Sequence, residues 1–351
     1  MSNKWIKELR RHEATVDYEY DSYAPENCYY TPSPYFNWIF SNKSNGIPKN
    51  ASVLFFSSPK AGKSLSCFSI IQQMQREDSE GIAIYISTEI RAALQNDVFP
   101  SLDKNRLLCL DTNDPVQIFD WIDKDVRAMV QEGMPLRMIV IDSLSNIQGI
   151  KRRDADSIEQ HLIGDQALTV TVGLGKLVPF CKQHKILLLA TSQMRANIDA
   201  GNPRAPKEKM AAQLGVKHAF EYFVSLKRAG AAEDKQDIEG KSFTEDDSKD
   251  ARGESLLTGH KVYVKMEESS IGSAGRAGVF TMDYEKGIIN QHEEVFWLGK
   301  NTGVIQLEGT KTYRFRDKKW NGKKECALAI RDDKELYEAI LQEVKNLDGK
   351  K

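Results

Sequence analysis

The sequence predicts an α/β protein built around a doubly wound, mostly parallel sheet. Short runs of consecutive apolar residues recur between residues 52 and 191, and amphipathic helical patterns separate them. Apolar runs of this kind are typical of parallel strands that are covered on both faces. Strands that alternate with helices then predict the doubly wound arrangement. The runs are SVLFF (52–56), GIAIYIS (81–87), RLLCL (106–110), RMIVID (137–142) and KILLLAT (185–191).

The clearest helix between these strands has both of its ends marked in the sequence. Asp114 is a suitable cap, Pro115 suits the first helical position, and Gly133 marks the end. The spacing of the apolar residues predicts one inward stripe. That stripe consists of Phe119, Ile122, Val126, Met129 and Val130.

The chain divides into three predicted parts. Residues 1–34 are a short basic helix, with Trp5, Ile6 and Leu9 at helical spacing, followed by a linker; the alternative for the helix is a frayed tail. Residues 35–290 are the core, and residues 291–351 form a small C-terminal α+β lobe that ends in a helix with Leu336, Ile340 and Val344 on one face.

Within the core, the polar and acid-rich stretch over residues 229–260 predicts a mobile excursion. KVYVKM and GVFTMDYE, which follow this stretch, predict two more strands.

Composition narrows the classes of protein that fit. The formal net charge is −1, so any contact with nucleic acid has to come from a local basic patch. The five cysteines are scattered and form no C-x-x-C pair, which argues against a disulfide framework or a zinc site and favours a reducing cytosol. The charged N-terminus does not resemble a signal peptide, and no run of 18 apolar residues occurs. We therefore expect a cytoplasmic protein with no membrane partner.

The strongest local motif is SSPKAGKS, residues 57–64, between a predicted strand and a predicted helix. In a phosphate-binding loop, backbone N–H groups and the helix N-terminus surround a phosphate. Lys63 is placed to reach the β- and γ-phosphates of ATP, and the Ser64 hydroxyl to ligate Mg²⁺. The motif departs from G-x-x-x-x-G-K-[ST] because Ser57 replaces the first glycine. The alternative is a lysine-rich surface turn. The predicted loop residues are Ser57, Ser58, Pro59, Lys60, Ala61, Gly62, Lys63 and Ser64.

Three further polar residues follow predicted strands. Asp142 ends RMIVID and can hold Mg²⁺ together with Ser64. Glu89 follows GIAIYIS, where a catalytic base lies in P-loop folds whose second strand neighbours the P-loop strand; the alternative is an exposed loop acid. Gln193 ends the strand expected beside Asp142 and can sense a γ-phosphate; the alternative is an ordinary strand-end glutamine.

In this order the motifs resemble RecA-type recombinases, and the phage UvsX-type branch in particular. SSPKAGKS, a glutamate after the next strand, IVIDS and LLLATSQMR carry the resemblance, and GVFTMDYEKGI and the segment NIDAGNPRAPKEKMAAQLGVKHAFEYFVSLKR extend it. Features shared with the UvsX-type branch are a lysine in the middle of the P-loop, Ser64, and Pro179 inside the helix before the glutamine strand. By itself, Pro179 predicts a kink or break in that helix.

The resemblance implies a RecA-like P-loop ATPase core and a DNA-dependent ATPase that uses ATP and Mg²⁺. It implies Glu89, Lys63 and Gln193 as catalytic residues and Ser64 and Asp142 as metal ligands. It also implies a homo-oligomeric helical filament on single-stranded DNA, with double-stranded DNA as second substrate, for strand exchange in recombination and repair. A single-strand-binding protein, a loading mediator and, if the protein is phage-encoded, the bacterial host cytoplasm fit the same picture.

Two loops are implied as the DNA contacts, near residues 150–164 and 194–213. Their basic residues are Lys151, Arg152, Arg153, Arg195, Arg204, Lys207 and Lys209. Two lysines of RecA that reach ATP across the subunit interface align with Glu268 and Ser270, with Lys265 and Arg276 nearby, and the adenine-stacking tyrosine has no clear counterpart. A ring-forming RecA-like motor or helicase is the alternative function; its usual large N-terminal domain is not expected ahead of a P-loop at residue 57.

Overall fold

The computed structural model describes residues 21–41, 44–90, 102–154, 164–196, 208–210, 214–230, 235–249, 255–272 and 274–348. The predicted basic helix with Trp5, Ile6 and Leu9 lies outside these ranges, as do parts of both predicted DNA loops.

Seventeen strands are formed in the described ranges. They are β1 (Cys28–Tyr29), β2 (Ile47–Pro48), β3 (Ser52–Ser57), β4 (Ile82–Ser87), β5 (Leu107–Asp111), β6 (Leu136–Asp142), β7 (Leu187–Ala196), β8 (Glu208–Met210), β9 (Tyr222–Arg228), β10 (Thr244–Lys249), β11 (Ser255–Leu257), β12 (Gly259–Ser269), β13 (Ala277–Asp283), β14 (Gly287–Ile289), β15 (Gln306–Glu308), β16 (Thr312–Phe315) and β17 (Lys318–Asn321).

The helices lie mainly between the strands of the core and at the C-terminus. They are α1 (Pro34–Phe40), α2 (Lys63–Glu77), α3 (Arg127–Gln131), α4 (Ile150–Arg153), α5 (Asp165–Gln183), α6 (Leu214–Lys217), α7 (Gln291–Thr302), α8 (Lys323–Asp332) and α9 (Lys334–Asp348). Two π-helical segments, Val116–Asp120 and Ile122–Val126, lead into α3. Short 3₁₀ turns cover Pro25–Asn27, Lys104–Arg106 and Leu144–Asn146.

One large mixed sheet organises the core, in the order β14-β13-β12-β9-β3-β7-β6-β4-β5. The pairs from β9 to β5 are all parallel, and β12, β13 and β14 continue the sheet as antiparallel strands. The prediction of an α/β fold with a mostly parallel sheet is confirmed. All five predicted core strands form, with ends shifted by one or a few residues.

Alternate residues of the parallel strands supply two separate hydrophobic clusters, as the pleat of a strand requires. In β3, Val53 and Phe55 join a cluster with residues of α1 and α2, whereas Leu54 joins a second cluster with residues of α5 and the π-helical segments. The sheet is therefore covered on both faces, which is why its strands are apolar at consecutive positions.

The C-terminal residues have a third cluster, built from α7, α8, α9 and the sheet β15-β16-β17. The predicted inward face of α9 is confirmed, since Leu336, Ile340 and Val344 are buried there. Tyr35 of α1 belongs to the same cluster. Gly278 of β13 allows this approach, because a Cβ there would lie 2.1 Å from the Tyr35 ring.

Three local predictions need correction. Met129 was expected in the inward stripe but is 49% exposed, because π-type turns with i→i+5 bonds shift the face that later residues present. Pro179 does not break its helix: α5 runs through it, and both Pro179 and Gly175, whose carbonyl loses a partner, are exposed to water. The acidic stretch over residues 229–260 contains an antiparallel hairpin, β10-β11, and the start of β12.

Among the described residues, no helix combines the length and the apolar character that crossing a bilayer requires.

Candidate functional site

The backbone of the loop from β3 to α2 is compatible with a phosphate-binding loop. Lys60 and Gly62 have φ of 63° and 95°, in the left-handed region. A Cβ at position 62 would have its nearest contact at 3.6 Å, so the conformation and not the space favours glycine there. α2 begins directly afterwards at Lys63, which directs its first N–H groups toward the loop.

Ser57, which replaces the first glycine of the motif, is the last residue of β3 and pairs in register with Gln193. Its φ is not in the left-handed region, so a side chain is tolerated. The Ser57 hydroxyl donates to the Ser58 carbonyl at 2.6 Å and accepts a hydrogen bond of 2.7 Å from the Lys63 amine. The departure from the motif thus adds a partner for the lysine.

Lys63 lies inside the loop and is only 9% exposed. Its amine also donates to the carbonyls of Ser57 at 3.3 Å and Ser58 at 3.4 Å. Burial lowers the pKa of Lys63, while the nearby Asp142 and Glu89 carboxylates act in the opposite direction. A buried cation with only neutral oxygen partners is a suitable counter-charge for an anionic ligand.

The Asp142 carboxylate accepts hydrogen bonds from three hydroxyl groups. Ser64 Oγ and Tyr85 OH both donate to Oδ2 at 2.5 Å, and Thr191 Oγ1 donates to Oδ1. The sequence-based pairing of Ser64 with Asp142 is therefore found in the structure. Burial, followed by the Asp142 charge, raises the pKa of Tyr85, so the phenol keeps its proton and remains a donor. Sequence reasoning missed Tyr85 and Thr191. Their signal in the sequence is that each is a polar residue within an apolar run.

Glu89 and Gln193 meet across the same edge of the sheet. Gln193 Nε2 donates to Glu89 Oε1 at 2.8 Å. We expected β3 and β4 to be neighbouring strands. This is wrong, since β7 and β6 lie between them. Glu89 still reaches the site because it follows β4 by two residues, and the carboxyl ends of parallel strands share one edge.

Hydroxyl groups tie the ends of these strands together. Ser145 Oγ accepts a hydrogen bond from the Gln193 N–H at 3.1 Å and lies 3.3 Å from Ser192 Oγ. Thr88 Oγ1 donates to the Ser143 carbonyl at 2.7 Å and accepts from the Ser143 N–H at 2.8 Å. The Asp142–Ser143 peptide bond is cis. The positions of Glu89, Asp142 and Gln193 are thus coupled through the backbone of their loops.

A cavity of about 630 Å³ joins these residues. The β3–α2 loop lines it from Pro59 to Ser64, and so do Glu89, Asp142 and Gln193. Ser57 and Ser58 lie beneath and contact Lys63. Three further residues that were not predicted line the cavity: Arg228, His260 and Tyr284. Each lies at or next to the end of a strand, and only the order of the sheet shows that these ends meet.

The residues present fit a nucleoside triphosphate with Mg²⁺. The loop backbone and Lys63 suit phosphate oxygens, and the Ser64 hydroxyl beside the Asp142 carboxylate suits a hard cation that keeps several waters. The described residues contain no cluster of three or more histidine, cysteine, aspartate or glutamate side chains that could hold a metal, so this oxygen pair would depend on ligand phosphates and water.

The predicted DNA residues fall in different settings. Lys151 and Arg152 are exposed on α4, whereas Arg153 pairs with Asp114 at 3.1 Å and Asp154 at 2.7 Å. The register of β7 with β8 places Arg195 opposite Lys209, so the predicted second loop begins and ends as a hairpin. Arg204 and Lys207 lie outside the described residues.

The cations considered for an intersubunit role have partners within this chain. Lys265 pairs with Glu267 at 2.5 Å. Arg276 donates to the carbonyls of Trp38 and Ser41. Glu268, which aligns with one of the two RecA lysines, pairs with Lys217 near the end of β12. This end of β12 lies beside the start of β9 and of β3, away from the β3–α2 loop.

Comparison with known proteins gives no match: no family model matches the chain, and no curated protein is similar to it at a significant level.

Proposed function

We propose that this chain is a RecA-like P-loop ATPase that forms ATP-dependent helical filaments on single-stranded DNA and pairs them with double-stranded DNA. The observation that supports this most is the Glu89–Gln193 hydrogen bond of 2.8 Å. It joins an acid suited to be a general base to the strand that continues into the predicted second DNA loop.

The nucleotide would be held by the P-loop backbone, with Lys63 on the β- and γ-phosphates. Ser64 and Asp142 would hold Mg²⁺, which would offset part of the negative charge of the phosphates. Tyr85 and Thr191 orient the Asp142 carboxylate, so that Ser64 can turn toward the metal while Asp142 keeps two hydrogen bonds.

Glu89 is the acid in this cavity that is suited to take a proton from an attacking water. The Asp142 carboxylate is already engaged by hydroxyl groups, whereas Glu89 accepts from a neutral amide at the γ-phosphate end. Gln193 lies at the register position beside Ser57 and three residues before the end of β7. A DNA strand that orders the β7-β8 hairpin would therefore set the Gln193 amide and, through it, Glu89.

The test combines imaging with one variant. Full-length protein with oligo-dT and a slowly hydrolysed ATP analogue should give helical filaments by negative-stain electron microscopy; closed rings would favour the alternative, a ring-forming motor. Lys63→Ala should lose filaments and weaken ATP binding by roughly tenfold to a hundredfold, because it removes charge-assisted hydrogen bonds. Its thermal melt should stay close to wild type. Unchanged ATP affinity would refute the phosphate-site assignment.

A further inference from the structure

The order of the sheet gives a bound nucleotide a direction. Glu89 and Gln193 lie on the side of β3 where β7, β6 and β4 follow. Arg228, His260 and Tyr284 line the cavity from the other side, at the ends of β9, β12 and β13. With its last phosphate at Glu89, a triphosphate on this loop would extend its nucleoside toward β9 and β12.

His260 occupies this second side with an unused polar atom. The side chain is 5% exposed, and its Nδ1 lies 3.2 Å from the Tyr284 hydroxyl. Its Nε2 faces the Ala61–Gly62 backbone of the P-loop but has no hydrogen bond of normal geometry with any described residue. Burial, together with the Arg228 charge, lowers the pKa of His260 to about 4, against a weaker opposing effect of the Ala61 backbone. The ring is therefore neutral at physiological pH, and a buried neutral nitrogen without a partner is costly.

A second cavity of about 600 Å³ lies next to the cavity at the β3–α2 loop. The two share Arg228 and His260 as a common wall. Phe243 and Leu257, from the acidic stretch over residues 229–260, line the second cavity and make its surface largely apolar. Phe243 is 8% exposed, and its backbone is fixed by the Thr258 N–H, which donates to the Phe243 carbonyl at 3.1 Å.

We propose that this second cavity is the nucleobase site, in which Phe243 packs on the base and His260 Nε2 makes a polar contact at its entrance. The proposal rests on the proposed function, since it presumes that the P-loop holds the phosphates. It assigns a role to a segment whose composition predicted only a mobile excursion. Nucleotide sites commonly combine an apolar wall with a few placed polar groups, and this arrangement has both.

The experiment measures binding of ATP and of inorganic tripolyphosphate, each with Mg²⁺, to the full chain by isothermal titration calorimetry. Phe243→Leu keeps apolar bulk but removes the aromatic face, and should weaken ATP binding about tenfold while tripolyphosphate binding stays unchanged. Phe243→Tyr should retain ATP affinity. Tyr263→Leu is the matched control, because Tyr263 is 37% exposed and lines a separate cavity.

A second pair of variants separates the two nitrogens of His260. Asn places its amide near the Nδ1 position and Gln near the Nε2 position. His260→Asn should therefore weaken ATP binding about threefold to tenfold, and His260→Gln much less, with tripolyphosphate unaffected by either.

Equal loss of both ligands in Phe243→Leu, or no loss of either, would overturn the base site and leave the phosphate site standing, provided that Lys63→Ala weakens the binding of both ligands. If the wild-type protein binds neither ligand, the proposed function fails and the base site fails with it.

Discussion

Three hydroxyl groups donate hydrogen bonds to Asp142, and they differ in how freely each can exchange that bond for a contact with a ligand. Tyr85 and Thr191 are buried within strands, whereas Ser64 stands at the start of α2 and lines the cavity. Hydrogen bonds to a charged group contribute about 1.5–3 kcal/mol each. Tyr85 and Thr191 therefore hold the carboxylate in place, and Ser64 is the one hydroxyl of the three that can turn to a ligand without loss of that arrangement.

Glu89→Gln tests whether Glu89 is the general base, because it replaces a single carboxylate oxygen by an NH₂ group. The amide keeps the size of the side chain and can still accept from Gln193, but it cannot take a proton. We expect DNA-stimulated ATP hydrolysis to fall on the order of 10²–10⁴-fold, with ATP affinity nearly unchanged. Steady-state phosphate release, beside an ATP titration, measures both.

Glu80→Gln is a suitable control for that variant, because Glu80 is an exposed acid just before the opposite end of β4. It should hydrolyse ATP at the wild-type rate. Hydrolysis by Glu89→Gln within a few-fold of wild type would mean that another group is the base.

Glu294 links α7 to α1 and makes the stability of the fold depend on pH. Its Oε2 accepts from the Ser33 hydroxyl at 2.5 Å and the Tyr35 N–H at 3.1 Å, while Oε1 is buried without a partner among the described residues. Burial, and to a smaller extent the Glu293 charge, raises the pKa of Glu294 to about 8 from an ordinary 4.5.

The direction of the effect follows from proton binding. Between pH 4.5 and about 8 the folded protein holds a proton on Glu294 that the unfolded chain has released, so stability falls as pH rises through this window. Glu294→Gln keeps both accepted bonds without the titration, and should flatten this dependence. Urea unfolding at pH 5.5 and pH 8.5 measures it. An equal loss of stability in both proteins over this range would exclude Glu294 as the cause.

The residues of the SSPKAGKS motif could be singled out from the sequence, because the motif carries its own local signal. Ser64, Asp142 and Gln193 line the same cavity, and Ser64 donates to Asp142. Tyr85 and Thr191 carry only a weak signal, a polar group inside an apolar run, and His260 carries none, since its role depends on the sheet that brings distant segments together.

At the scale of elements, apolar periodicity predicts a helix better than it predicts the face of that helix. Over residues 116–126 the backbone takes π-type turns, and Phe119, Ile122 and Val126 still face inward. The wider turn moves the next inward position past Met129. Sequence spacing assumes regular α geometry, so it cannot place residues that follow such turns.

Helix α5 should be stabilised when its proline is removed. Pro179 lacks the N–H that the Gly175 carbonyl would accept, and both residues are exposed, so water replaces a helical bond. Pro179→Ala restores the donor and should raise the free energy of unfolding by on the order of 1–3 kcal/mol. Denaturant unfolding monitored by circular dichroism measures this.

Gly175→Ala is the matched change one turn earlier. A Cβ at this position meets nothing within 4 Å, so the gain should be smaller, about 1 kcal/mol, from helix propensity alone. A destabilised Pro179→Ala variant would contradict this account and would mean that α5 requires a proline at this position.

At the scale of the whole molecule, the order of strands was the part that the sequence could not supply. Continuous apolar runs showed that β3, β4, β6 and β7 are buried on both faces, but not which strands are neighbours. β7 and β6 lie between β3 and β4 in the sheet. Gln193 of β7 and Asp142 of β6 therefore lie between the β3–α2 loop and Glu89 in the cavity. The site is therefore a property of the sheet order as much as of its motifs.

The charge of the whole chain also limits how the proposed DNA binding can arise. Because the net charge of the chain is −1, affinity for DNA has to come from local cations. The cations of the first predicted loop are of two kinds, paired and exposed. Arg153 is held by Asp114 and Asp154, whereas Lys151 and Arg152 are exposed. An arginine that is already paired has less to gain from a phosphate than an exposed one.

Paired variants test this difference through the salt dependence of binding. Each phosphate contact on single strands contributes roughly 0.7 to the slope of log affinity against log salt. The double variant Lys151→Ala, Arg152→Ala should therefore lower the slope by about 1.4, and the triple variant Arg204→Ala, Lys207→Ala, Lys209→Ala by about 2. Arg153→Ala should leave the slope as in wild type. Fluorescence titrations of labelled oligo-dT at several salt concentrations give the slopes, and a larger change for Arg153→Ala than for the double variant would show that its ion pairs open when DNA binds.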